Sequence, residues 1–211
     1  MEIMTLVDMV SRWGHLLFGM TWIGLLYYFN FIQGGYFKAA TPEALKDAKA
    51  KLAPEALWWF RWGAMGTFLT GLILLVGMVK KDVLNDYIII GATMGTLMFL
   101  NVWLIIWPNQ KIALGMAEGD GPTAAGKALL ASRTNTLFSG PMAFMMLSGA
   151  HLGTWGYGTG STALMVALAI IALLEINAIK GKMGPITTVR GVIVHSLVLT
   201  AVIVAILEFL K

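Results

Sequence analysis

The stretch Leu57–Val79, LWWFRWGAMGTFLTGLILLVGMV, decides the fold class. Its 23 residues carry a single charge, Arg61. A helix rises about 1.5 Å per residue, so a segment this long crosses a hydrocarbon core of about 30 Å. Five more stretches share this character. The apolar pattern predicts six spans, near residues 8–32, 57–79, 87–107, 134–153, 161–179 and 190–209. They leave no room for a soluble catalytic domain, so residues 1–211 read as one all-α domain, a polytopic membrane bundle.

The bulk numbers agree. The chain is 58% apolar and 12% charged, with mean hydropathy +0.77. A soluble domain would be about half apolar and a quarter charged, and a disordered chain would lack large apolar residues. Eight Trp and 24 Gly suit rings at the headgroups and closely packed helices. The net charge of +4 is scattered over loops and forms no basic stripe, so nucleic acid is excluded as a partner. Cysteine is absent, which removes disulfides, thiolate metal sites and covalent haem attachment. Redox chemistry in this chain would need a non-covalently held cofactor. Met1-Glu2-Ile3-Met4 lacks a basic n-region, so no cleaved signal peptide is predicted.

Loop charge sets an expected orientation. With the N-terminus outside, eleven Lys and Arg residues fall on the inner side, from Lys38 to Arg190, against Arg12, Lys80, Lys81 and Lys211 outside. The positive-inside bias then places both termini on the outer, periplasmic side of a bacterial inner membrane. Thr41-Pro42-Glu43 reads as a cap, an N1 proline and an acidic first turn, opening a short surface helix through Lys51. Trp58, Trp59 and Trp62 read as an interfacial belt. Gly63, Thr67 and Gly71, and Gly91 with Gly95, mark close helix contacts.

Ionisable residues inside spans are costly and so point to function. His15 in the first span and His151 at the end of the fourth are expected at similar depth near the outer face. His15 shares a helix face with Gly19 and Trp22, and His151 with Ser148 and Phe144. Two imidazoles on facing helices are the ligand set of a low-spin haem b, with Trp22 and Phe144 as walls and Gly19 leaving room for the macrocycle. The competing reading is an interhelical hydrogen bond from each histidine; zinc or copper would find two histidines too few. His195 lies toward the inner face, near Glu175 and level with Arg61. Such a group could relay protons or hold a quinone headgroup, or serve as an interhelical clamp with Arg61 as an interfacial anchor.

Three groups of residues carry a family resemblance. They are Arg12-Trp13-Gly14-His15 with Trp22-Ile23-Gly24; Glu55–Ala64, with its Trp58-Trp59-Phe60-Arg61-Trp62-Gly63 core; and Ser132-Arg133-Thr134-Asn135-Thr136 followed by Ser139, Pro141, Phe144, Ser148 and His151. The chain thereby resembles the membrane domain of bacterial cytochrome-c-linked urate oxidases, the urate oxidase N-terminal domain family. The resemblance implies a helical membrane domain, oxidoreductase chemistry and electrons passed to a cytochrome c. His15 and His151 match histidines of the family pattern. Thr134 stands where the family has a histidine, and Glu175-Ile176-Asn177 stand where it has an arginine–histidine pair. The leading expectation is a haem b protein of electron transport serving a separate cytochrome c or respiratory subunits. The alternative is a non-catalytic subunit of a respiratory or photosynthetic complex.

Overall fold

The structure, a computed structural model, describes residues 3–151 and 160–210. Six long helices follow one another: α1 Ile3–Ala39, α2 Pro42–Lys80, α3 Asp86–Ala113, α4 Gly121–His151, α5 Thr162–Lys180 and α6 Val189–Phe209. A short 3₁₀ turn, Gly184–Thr187, joins the last two. No strand occurs among the described residues. Residues 152–153 of the predicted fourth span lie outside them.

The helix starts carry the caps that their sequences announce. Side-chain oxygens of Thr41, Asn85, Ser161 and Thr188 accept from main-chain N–H groups three residues on, at 2.9–3.3 Å. Gly115, at φ 73°, closes α3; there the Met116 N–H reaches back to the Lys111 carbonyl at 2.8 Å.

Four helices run past their predicted spans: α1 continues to Ala39 and α3 to Ala113, while α2 and α4 begin early. The Thr41 cap forms, but its helix does not end at Lys51. It runs through a π-helical segment, Ala48–Leu52, and on into the span. Pro54 does not interrupt it, because the preceding wide turn absorbs the missing N–H. α4 likewise starts at Gly121, well before the predicted residue 134. Similar π segments occur at Tyr28–Gln33 in α1 and Asn101–Ile106 in α3.

Five of the six helices, α1, α2, α3, α5 and α6, are long and apolar enough to cross a membrane. Their outward residues, such as Leu173, Ile176, Leu197 and Val198, are large, apolar and exposed, a surface suited to lipid. α4 differs. It is long enough, but Ser132, Arg133, Thr134, Asn135, Thr136 and Ser139 are all buried. It packs against α1, α3, α5 and α6; Ser132 and Ser139 bond α1, Asn135 bonds α3, and Thr134 and Thr136 bond carbonyls of α4 itself. A helix enclosed by protein need not be apolar, which is why the hydropathy pattern alone describes it poorly.

α1 and α2 form an antiparallel pair whose contact runs through small residues. A Cβ on Gly63 would lie 3.1 Å from the Trp22 main-chain nitrogen, and one on Gly66 would overlap the Phe18 ring. On the other side of the bundle, Gly91 takes Met146 and Met142 of α4 at the same close range. Gly63→Leu is therefore expected to cost about 1–3 kcal/mol of stability, because the atom in the way is backbone and cannot turn aside. Gly24→Leu, where nothing lies within 4 Å, is the control. Thermal unfolding of the two variants in detergent should separate them by several degrees.

Candidate cofactor site

Between the α1–α2 pair and the α3–α4 pair lies a cavity of about 960 Å³. It occupies the end of the bundle where α1 begins. Phe68 lines its inner limit and stacks on Phe99; further from the opening, the Trp62–Trp103 edge contact and an amide–hydroxyl bond from Asn30 to Ser132 at 2.8 Å hold the pairs together. The volume is at the upper end of the range typical of organic ligand sites, about 300–1,000 Å³.

His15 and His151 both line this cavity. The His15 Nδ1 lies 2.9 Å from the Thr67 carbonyl and 3.2 Å from the Thr70 hydroxyl. A carbonyl only accepts, so Nδ1 carries the hydrogen and the neutral ring keeps its Nε2 lone pair free. Gly71 gives the ring its place: a Cβ there would stand 3.1 Å from His15 Cε1. The His151 Nδ1 donates in the same way to its own helix, at 2.9 Å from the Leu147 carbonyl. Both imidazoles are thus tied through Nδ1 to the main chain.

Gly19 and Trp22 also line the cavity, and Trp22 is 2% exposed with a buried Nε1 that has no hydrogen-bond partner. Phe144 does not contribute. It is 40% exposed and lies off the cavity wall, which α4 builds from Met142, Ala143 and Met146 instead. Ser148 is buried but does not line the cavity either. Three charged residues at the mouth were not anticipated from the sequence. Asp8 bonds Arg12 at 2.8 Å and lies 3.8 Å from Lys81, and all three line the opening. Arg12 precedes His15 by three residues, so one helical turn links them, a spacing visible in the sequence.

The family described as urate oxidase N-terminal matches residues 82–207, from the start of α3 into α6. The chain belongs to the urate oxidase N-terminal family. That match includes His151 and the Ser132–Thr136 run, while His15 and the Trp58–Gly63 segment lie before it. No curated protein and no solved structure matches the chain.

The polar residues at the other end of the bundle of this family member do not form the group expected from depth alone. His195 is exposed, and its Nδ1 donates to Gly191 of its own helix at 2.8 Å. Glu175 is buried and accepts from the Asn101 amide at 3.1 Å. Asn101 also donates to Asn135 at 2.9 Å, and Asn135 to the Met98 carbonyl at 2.9 Å. Arg61 lies over the Trp107 ring, 3.8 Å from its centroid. Each of the three has a different partner, because equal depth on a helix says nothing about which way a side chain faces. Asn177 closes the end of α5, bonding the Lys182 main chain at 3.0 and 3.2 Å.

Proposed function

We propose that the cavity holds a haem b between His15 and His151, and that the protein carries electrons near the outer face of a bacterial inner membrane. One observation carries this reading: the two histidines line one cavity, each held through Nδ1 by a main-chain carbonyl. That arrangement fixes the tautomer and leaves Nε2 as the ligating atom. The haem, when bound, supplies a one-electron couple.

The chain's own residues do the rest. Thr67 and Thr70 orient His15, and Gly71 and Gly19 keep the flanks clear. Trp22 and the methionines of α4 keep water from the interior. Arg12 and Lys81 stand at the mouth as cations for the carboxylates of a macrocycle. Electrons would pass from the haem to a cytochrome c or another respiratory subunit. Both termini would face the periplasm.

The test is an optical spectrum of protein purified from its native membrane, with haem counted as the pyridine haemochrome. A Soret band, sharp reduced b-type bands and haem in near-stoichiometric amount are expected. Haem-free protein would overturn the reading and leave a purely structural subunit.

A further inference from the structure

Arg133 has no role in the cavity. It is 8% exposed, and its Nε and Nη1 are buried with no hydrogen-bond partner. Among the described residues the ion pairs join Asp8 to Arg12 and Lys81, and Asp47 to Lys51; none reaches Arg133. A cation left this way in low dielectric calls for an anion.

Its place follows from helix geometry. Gly140 lies seven residues further along α4, two turns on and on the same face. There α4 approaches α6 closely, since a Cβ on Gly140 would overlap the Ser196 hydroxyl. The two helices are separated by one intervening span and run the same way, so two turns back along both brings Arg133 level with Val189, where α6 begins. Helical side chains lean toward the helix start, which directs the guanidinium toward the end of the 184–188 connection. That connection packs against α4, and its Ile186 is buried.

The start of α6 is itself unusual. Its first turn carries Arg190 where an acidic residue would suit the helix dipole, and residues 181–192 contain Lys182 and no carboxylate. The Thr188 hydroxyl satisfies only the Gly191 N–H, at 2.9 Å. By this register the positive end of a 21-residue helix lies level with a buried, unpaired arginine.

We propose that Arg133 and the start of α6 form a binding site for a phosphate group, supplied by the headgroup of an anionic phospholipid. The level fits, because the end of an apolar span is where headgroups lie. Ile193, Val194 and Leu197, exposed one and two turns above, offer an apolar face for acyl chains. Arg190 and Lys182, both exposed, add charge at the entrance. The site is independent of the haem reading.

Native mass spectrometry of the full chain, delipidated in detergent, tests it with phosphatidylglycerol, phosphatidylcholine or inorganic phosphate added separately. Phosphatidylglycerol adducts are expected at several-fold lower lipid concentration than phosphatidylcholine adducts. Arg133→Gln should abolish that preference. Arg133→Lys keeps the charge without the planar fork; it should weaken the preference, and it provides the test if the Gln variant does not fold. Equal binding of the two lipids, or an undiminished preference in the Lys variant, would overturn the proposal. Inorganic phosphate binding as readily as phosphatidylglycerol would overturn the lipid assignment and leave a free-anion site.

Discussion

Protein carrying His15→Ala is expected to lose its b-type absorbance while keeping its helical content, and His151→Ala should do the same. The comparison that gives this result meaning is Gly71→Val. A Cβ at position 71 already stands 3.1 Å from His15 Cε1 and 3.4 Å from Nδ1, so a branched side chain must push the ring off the Thr67 carbonyl. The ligand remains chemically present but loses its orientation. Disturbing the partner that orients a metal-ligating histidine typically lowers affinity about 10–100-fold. Haem content per polypeptide should therefore fall in Gly71→Val almost as far as in His15→Ala. An unchanged spectrum in His15→Ala would remove His15 as a ligand. An unchanged spectrum in Gly71→Val alone would mean that the ring does not need its main-chain tether.

The second large effect is expected from Asn135→Leu. Asn135 is fully buried, accepts from Asn101 and donates to the Met98 carbonyl at the point where α3 widens into its π segment. Leucine fits the volume but leaves a carbonyl and part of an amide without partners. The cost is about 1–3 kcal/mol, since buried groups lose their bonds and gain no water. Glu175→Gln should cost far less, because the glutamine carbonyl still accepts from Asn101. For a protein of this size about 1 kcal/mol moves the unfolding midpoint by roughly 2–4 °C. A thermal scan in detergent should therefore separate the two variants clearly. Equal midpoints would show that the network contributes nothing to stability.

Much of the fold was legible because lipid imposes a simple rule on outward-facing residues. Leu57–Val79 declares a span without reference to any other helix. The histidine pair was legible for a related reason, since depth along a helix is countable. What could not be counted was rotation. His195 and Glu175 are level, yet one faces outward and the other inward. Phe144 and Met146 are two residues apart, and only Met146 lines the cavity. Gly63, Thr67 and Gly71 were legible as a packing stripe. That the same stripe holds a histidine depends on the α1–α2 register, which no local pattern contains.

α4 carries a consequence for biosynthesis. The buried polar run from Ser132 to Ser139 opposes insertion of α4 as an isolated span, because polar groups without partners are costly in hydrocarbon. A helix of this kind is poorly retained in lipid by itself. It becomes acceptable once Asn30 reaches Ser132, and Asn101 reaches Asn135. α1 and α3 precede it along the chain and can wait for it in the membrane, whereas α5 and α6 follow it. The chain's order of synthesis therefore assembles half of the shelter for its most polar helix before that helix arrives, and a chain stopped after α4 would have only that half.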